Sequence, residues 1–195
     1  MKIIIATHNR KKLTELKRIL APLGIEAVID SDVGITLPEV EETGSTFEEN
    51  AFIKADSGCK ASGLACIADD SGLCVDALGG APGVYSARYS GIHGDDESNI
   101  DKLLTELADV PDEERTARFV CAVCCVFPNG RKITVRGECE GVILRERHGN
   151  SGFGYDPVFR CGDKNFGELS PDEKDGLSHR GKALRKLAEE LKNLL

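Results

Sequence analysis

The stretch that decides the fold is Ala65-Cys66-Ile67-Ala68-Asp69-Asp70-Ser71-Gly72-Leu73. A short apolar run, 65–68, precedes two adjacent carboxylates, and such runs bounded by turn residues are typical of buried strands. We expect the strand to stop at the two aspartates and Ser71-Gly72 to form the turn. Ligands gather where strands end in open α/β sheets, and adjacent carboxylates repel unless a cation lies beside them. The stretch therefore indicates an Mg²⁺ site shared with phosphate; on these residues alone, a plain surface turn is the simpler interpretation.

Length and composition restrict the class of protein. A chain of 195 residues suits a single domain, 1–195, with a substantial core. A net charge of −8 argues against nucleic acid as the main partner, because no basic excess is present to bind a phosphate backbone. No apolar stretch has the length of a membrane span, and the run 1–5 is too short for a secretory signal. We therefore expect a cytoplasmic protein with no membrane partner.

The chain contains eight cysteines, a high number for its length. Most lie in apolar or strand-like runs, where free cysteine behaves as a small hydrophobe. Cys121 and Cys124 have the spacing of a metal pair but lack a second pair to complete a zinc site. The cysteines are therefore expected to pack rather than to bind metal.

The N-terminal segment has the order strand, polar turn, helix. Residues 2–6 form a compact β-branched run, and leucines then recur at helical spacing from Leu13 to Leu23. The turn between them, Thr7-His8-Asn9-Arg10-Lys11-Lys12, would direct the free N–H groups of a helix start at an anion. It lacks the glycines of a Walker A loop. A capped helix with a solvated basic face explains the same residues equally well.

An acidic segment precedes the next predicted helix. Thr46 and Glu49 have the spacing of a capping box for a helix over 47–62 that ends at Gly63. Glu41 and Glu42 lie just before it, where acids usually complement the helix dipole.

The same two glutamates have a second interpretation: they complete the coordination of a cation held at Asp70. Lys54, inside the helix, faces either solvent or that site.

The second half of the chain predicts further elements and two glycine-rich loops. The pattern indicates a helix with the stripe Ile100, Leu103, Leu104 and Leu107, a hairpin of strands 118–127 and 132–139, loops at 75–94 and 149–157, and a C-terminal helix capped by Ser178 with the stripe Leu184, Leu187, Leu191 and Leu194. His179-Arg180 places positive charge in the first turn of that last helix, which is unfavourable with the dipole. The placement suggests an anion or polar ligand group in front of the helix.

Seven motifs in order along the chain carry a family resemblance. They are Thr7-x-Asn9-x-x-Lys12, Glu41-Glu42-Thr43-Gly44, Glu49-Asn50-Ala51-x-x-Lys54-Ala55, Ala68-Asp69-Asp70-Ser71-Gly72-Leu73, Gly79-Gly80-Ala81-Pro82-Gly83-x-Tyr85-Ser86-Ala87-Arg88, Phe153-Gly154-Tyr155-Asp156-Pro157 and Ser178-His179-Arg180-Gly181. With them the chain resembles the inosine triphosphate pyrophosphatases, which hydrolyse non-standard purine nucleoside triphosphates (ITP, dITP, XTP) to the monophosphate and pyrophosphate.

The resemblance implies a role for each matching residue. Asp70 would bind Mg²⁺ and act as, or position, the general base, and Glu42, or less favourably Glu41, would add a metal ligand. The remaining residues would contact substrate: Thr7, His8, Asn9, Arg10, Lys11 and Lys12 the triphosphate, Ser71 the nucleotide, Phe153, Gly154, Tyr155 and Asp156 the purine, Lys174 phosphate or ribose, and His179 and Arg180 the base edge.

We predict a mixed α/β fold, with a twisted mixed central sheet, helices on both sides, and a cleft between a phosphate lobe and a base lobe. The resemblance also implies a homodimer. Two alternatives stay open: a pyrophosphatase for other modified nucleotides, and a nucleotide-binding sensor without turnover.

Overall fold

The computed structural model describes residues 2–7 and 9–193. His8 and Leu194, both named above, lie outside the described residues. Within them the strands are β1 (Lys2–Ile5), β2 (Glu26–Val28), β3 (Cys66–Val75), β4 (Thr116–Val126), β5 (Lys132–Ile143), β6 (Phe159–Cys161) and β7 (Lys164–Asn165). The α-helices are α1 (Arg10–Leu20), α2 (Phe47–Ser62), α3 (Asp96–Glu106), α4 (Pro171–Leu177) and α5 (His179–Lys192).

The described strands form one seven-stranded sheet in the order β2-β1-β3-β4-β5-β6-β7. β1 is parallel to both β2 and β3, whereas β5 with β6 and β6 with β7 are antiparallel. The prediction of a mixed sheet flanked by helices is therefore confirmed.

The chain divides into two compact units. The first comprises Met1–Asp70, Cys121–Gly137 and Arg180–Leu195, and the second comprises Ser71–Val120 and Glu138–His179. Each unit has its own core. Buried apolar side chains of β1, α1, β3, β4 and α5 form the first. The second contains the packed rings of Phe119, Phe159 and Phe166, in which Phe119 stacks on Phe166 and Phe159 meets Phe166 edge-on. The predicted cleft between two lobes stays a prediction.

Helix α2 begins and ends as its sequence predicts. Thr46 accepts a hydrogen bond from the Glu49 backbone, and the Glu49 carboxylate accepts from the Thr46 backbone, so the capping box is complete. Gly63 ends the helix with φ of 66°, a left-handed conformation that glycine adopts without strain. The helix also lies close to β3, since a Cβ on Gly58 would lie 2.5 Å from the Cys66 Sγ.

The prediction that the central strand stops at Asp69-Asp70 is wrong. β3 runs from Cys66 to Val75, so both aspartates and Ser71-Gly72 lie inside a strand rather than in a turn. The strand continues past the aspartates because Leu73 and Val75 alternate along it as buried apolar side chains. The carboxylates are tolerated there because cations from other segments neutralise them, as described below.

Three further elements, β4, β5 and α4, differ from the sequence prediction. β4 and β5 form longer strands than the predicted hairpin, and the turn between them is closed by the Gly130 N–H donating to the Phe127 carbonyl at 2.9 Å. Helix α4 was not predicted, although Ser170 and Glu173 form a complete capping box with the spacing that marks a helix start. Among the described residues, no helix combines the length and apolar character that crossing a membrane requires.

Candidate active site

The two adjacent aspartates of β3 have different partners. Asp69 Oδ2 lies 3.3 Å from Lys12 Nζ and accepts from Arg180 Nε at 3.2 Å. Asp70 Oδ2 accepts from Asn50 Nδ2 at 3.1 Å, and its Oδ1 lies 3.7 Å from Lys54 Nζ. Successive side chains of a strand point to opposite faces, which separates the two carboxylates. Each aspartate therefore belongs to its own charged group.

Asp69 belongs to a buried ionic network. Arg180, only 1% exposed, donates from Nη1 to Glu15 Oε2 at 2.5 Å and from Nε to Asp69. Burial by itself would raise the pKa of Asp69, but Lys12 and Arg180 outweigh it and hold that pKa well below its usual range. Asp69 is therefore an ionised anchor for Lys12 and Arg180 rather than a group suited to exchanging protons.

Asp70 has the opposite electrostatic character. Burial raises its pKa, and the neighbouring Glu42 adds to that rise, against the attraction of Lys54. Lys54 in turn loses solvation on burial, yet Asp70, Asp69 and Glu42 keep its pKa above the ordinary value. A carboxylate with a raised pKa is better matched to accepting a proton near neutral pH.

Lys54 connects the acidic segment to the strand. Its Nζ donates to Glu42 Oε1 at 2.6 Å while lying 3.7 Å from Asp70 Oδ1. Asn50 and Lys54 are four residues apart on α2, and therefore on one helix face. The Lys54 side chain therefore faces Asp70 rather than solvent.

The turn before α1 is partly ordered by its own side chains. Asn9 donates from its backbone to Thr7 Oγ1 at 3.2 Å, and Asn9 Oδ1 accepts from the Lys12 backbone at 3.1 Å. Asn9 therefore caps the helix, as the alternative interpretation expected. The Lys12 side chain is nevertheless only 17% exposed and is directed at Asp69, so this part of the basic face is not solvated.

The other predicted residues of that turn differ in placement. Arg10 is exposed at the start of α1. His8 and the Lys11 side chain lie outside the description, so their predicted phosphate contacts stay predictions.

The carboxylates near Lys54 fit a hard cation. Glu42 and Asp70 both direct oxygens at one positive group, and Mg²⁺ is typically held by one or two carboxylates together with substrate phosphates. Glu41 is exposed, and the contact to Lys54 comes from Glu42 instead. Within residues 2–7 and 9–193, no group of three or more His, Cys, Asp or Glu side chains is arranged to hold a metal. With two carboxylates, the remaining ligands of such a cation would be water and substrate phosphate.

Three of the residues predicted to contact base or ribose, Phe153, Asp156 and Lys174, form a connected group in the second unit, whereas Arg180 belongs to the first. Asp156 Oδ2 accepts from the Phe153 backbone at 2.8 Å and from Lys174 Nζ at 2.5 Å. Lys174 Nζ also lies 4.7 Å from the centroid of the Phe153 ring, within cation–π distance. Asp156 and Lys174 are buried and Phe153 is half-buried, so the ring lies beside a buried ion pair formed between its own loop and α4.

Nearby contacts fix the rest of this loop. Gly154 donates from its backbone to Asp96 Oδ2 at 2.8 Å, and the Tyr155 hydroxyl donates to the Ser86 carbonyl at 2.8 Å.

Two other predicted site residues of the second unit lie outside this loop. His179 is buried and stacks on Phe119 with ring centroids 4.8 Å apart. Ser71 is half-buried in β3, at the start of the second unit.

Two functional candidates were missed by reasoning from sequence. Glu15 was not singled out, although it lies three residues after Lys12 and so on a neighbouring part of α1. Asn50 was quoted only within a motif, although its spacing from Lys54 placed it on the same helix face. Both signals are weak alone, because the partners Arg180 and Asp70 come from distant segments.

Fold and charged groups together define an α/β protein in which acidic strand residues are paired with lysines and an arginine from surrounding helices. Comparison with known proteins agrees. The sequence profile of the Ham1 family matches residues 3–190. A dITP/XTP pyrophosphatase of Mycobacteroides abscessus is 52% identical over 200 residues, covering 100% of this chain and 97% of the relative. One of Bacillus subtilis is 51% identical over 188 residues, covering 95% and 94%.

A solved structure supports the same relationship. The HAM1 protein from Coxiella burnetii superposes with a TM-score of 0.88 at 41% identity, covering 99% of both chains. This chain belongs to the Ham1 family, which confirms the resemblance carried by the seven motifs.

Proposed function

We propose that this protein hydrolyses non-standard purine nucleoside triphosphates, ITP, dITP and XTP, to the nucleoside monophosphate and pyrophosphate. The observation that carries the proposal is full-length identity of about half to relatives named dITP/XTP pyrophosphatase. The activity removes deaminated purines from the nucleotide pool.

Phosphate handling is assigned to the first unit. Mg²⁺, when bound, would neutralise charge on the triphosphate and on the departing pyrophosphate. Glu42 and Asp70 are the residues that would hold it. Lys12 supplies a fixed positive charge, because Asp69 and the network behind it hold the ammonium in place. Such prearranged charge stabilises a transition state without reorganisation.

Asp70 is assigned the proton transfer. Water attacks the phosphoanhydride, its proton passes to the Asp70 carboxylate, and pyrophosphate leaves with the bonding electrons. The raised pKa of Asp70 supports this role, and Asn50 orients the carboxylate through the 3.1 Å hydrogen bond to Oδ2.

Base recognition is assigned to the loop that carries Phe153. We propose that its ring stacks on the purine, while Gly154, Tyr155 and Asp156 shape the surroundings and Lys174 completes them. A donor from His179 or Arg180 to the purine 6-keto oxygen would be left unpaired by a 6-amino group. That loss is worth roughly 1–3 kcal/mol, or about 5–150-fold against adenine nucleotides.

Three finer expectations remain part of the proposal: Mg²⁺ as the metal, a homodimer, and a cytoplasmic location. A mass measurement in solution tests the dimer. Titration with Mg²⁺, Mn²⁺ and Ca²⁺ in the activity assay tests the metal.

The function is tested by pyrophosphate release from a substrate panel of dITP, ITP, XTP, dUTP, dTTP, GTP and ATP, with Mg²⁺ or with EDTA. We expect turnover of the first three in Mg²⁺ only. Turnover of a modified or pyrimidine nucleotide instead would favour the broader pyrophosphatase, and binding without turnover would favour a sensor.

Matched variants test the role of Asp70. Asp70→Asn should lose nearly all turnover. Asp56→Asn on α2, which removes an exposed pair with Lys60, should behave like the unmodified protein. Full activity in Asp70→Asn would remove the proposed base.

A further inference from the structure

Lys54 lies against the two carboxylates that are proposed to hold the metal. Its Nζ is 2.6 Å from Glu42 Oε1 and 3.7 Å from Asp70 Oδ1. The side chains of Lys54 and Asp70 are 17% and 9% exposed, so water screens the group only in part. One ammonium is therefore shared by two acids.

This arrangement places two cations in competition for the same oxygens. A divalent ion that enters alone must displace the ammonium or bind directly beside it. Displacement leaves a largely buried ammonium with less counter-charge, and close approach adds repulsion between like charges. Either outcome weakens the binding of free metal.

A triphosphate changes that balance. Its oxygens offer the ammonium new anionic partners, so Lys54 can leave the carboxylates without losing its neutralisation. Binding of metal and binding of nucleotide then favour each other, and by linkage the effect is reciprocal.

We propose that Lys54 is an internal counter-cation that occupies the Glu42–Asp70 pair until nucleotide arrives, so that metal is taken up together with the triphosphate rather than beforehand. The inference rests on the proposed function for the identity of the site. Lys54 thereby has two roles in the proposal: it neutralises Glu42 and Asp70 before metal binds, and it contacts the triphosphate afterwards.

The test measures Mn²⁺ binding to the full chain by calorimetry or electron paramagnetic resonance, with no nucleotide present. Lys54→Met keeps the aliphatic stem and removes the charge. We expect it to bind Mn²⁺ about tenfold more tightly than the unmodified protein, as loss of one adjacent like charge predicts. Lys60→Met is the matched control, since Lys60 lies on the same helix, is 75% exposed and pairs with Asp56; it should leave the affinity unchanged.

Two further variants keep the test decisive. Lys54→Gln retains a donor for Glu42 and serves if the methionine variant does not fold; it should also bind Mn²⁺ more tightly. Adding Asp70→Asn to either variant should abolish the gain, which locates the ion at this pair. Affinity equal to that of the unmodified protein in both Lys54 variants would overturn the inference.

Failure of the inference is distinguishable from failure of the proposed function. If the unmodified protein hydrolyses dITP but the variants bind Mn²⁺ no better, the counter-cation role is wrong and the function stands. If the variants bind Mn²⁺ more tightly but dITP is not hydrolysed, the competition is real and the proposed function is wrong.

Discussion

Replacing Arg180 by methionine tests the buried ionic network. The side chain is 1% exposed, and its guanidinium donates to Glu15 at 2.5 Å and to Asp69 at 3.2 Å. Removing one partner of a buried pair costs about 3–5 kcal/mol, because the other charge stays buried without compensation. Lys12 still lies 3.3 Å from Asp69 after the change, which limits the loss on that side.

The loss should therefore fall mainly on Glu15. Its Oε1 is already buried with no hydrogen-bond partner among the described residues. Loss of the guanidinium therefore leaves a buried carboxylate whose negative charge has no counter-charge. We expect Arg180→Met to lower the free energy of unfolding by about 3–5 kcal/mol. Adding Glu15→Gln should recover part of that loss, since the double variant no longer buries the uncompensated charge.

Urea denaturation at pH 7 measures both effects. Arg136→Met is the matched control, because Arg136 pairs with Glu48 at 2.9 Å with side chains 41% and 34% exposed; exposed pairs contribute about 0–1 kcal/mol. A loss in Arg180→Met no larger than in this control would refute the reasoning. So would a double variant less stable than the single one.

Three other predictions concern the cap of α2 and a buried thiol. Thr46→Ala should destabilise the protein by about 1 kcal/mol in urea denaturation, because the cap of α2 is lost; no change would contradict the cap's contribution. Hydrogen bonds from Ser45 lower the pKa of Glu49 from its ordinary 4.5, so its charge stabilises the fold above that value, and the benefit is lost as pH falls through the lowered pKa. Glu49→Gln should therefore melt below the unmodified protein at pH 7 and together with it at strongly acidic pH, whereas a constant gap would exclude a charge effect. Burial, with smaller contributions from neighbouring thiols, raises the pKa of Cys66 to about 12, so mass spectrometry should find it unalkylated by iodoacetamide at pH 8 in native protein and alkylated in urea.

Local patterns predicted the parts of the fold that depend on near neighbours. The Thr46–Glu49 box, the terminal Gly63 and the leucines 184, 187 and 191 of α5 each act within a few residues, and each is found as expected. The hairpin turn is local in the same sense. These elements need no partner from a distant segment to be recognised.

The central strand could not be predicted in this way. Two adjacent charges indicate the end of a strand, because burying a carboxylate without a counter-charge costs free energy. The compensation for Asp69 comes from Arg180, separated from it by 111 residues, and from Lys12 in the first helix. Only the folded chain brings these charges together, so the sequence pattern suggested a turn where a strand continues.

The candidate site shows the same division. The motifs identified Asp70, Glu42 and Lys12, and the structure places each beside an opposite charge. They did not predict the direction of Lys54, since a lysine in a helix can face either way until its neighbours are known. Nor did they predict that Arg180 is held by two acids.

The alternation of Asp69 and Asp70 along β3 makes the site sensitive to chain length. A strand that slips by a single residue exchanges its two faces. Deleting one residue just upstream would place Asp70 where Asp69 now contacts Lys12 and Arg180, and would bring Ser71, which has no carboxylate, to the position that faces Asn50 and Lys54. Asp69 and Asp70 are chemically identical, but neither can replace the other. The register of this strand therefore matters to the enzyme as much as the identity of either acid.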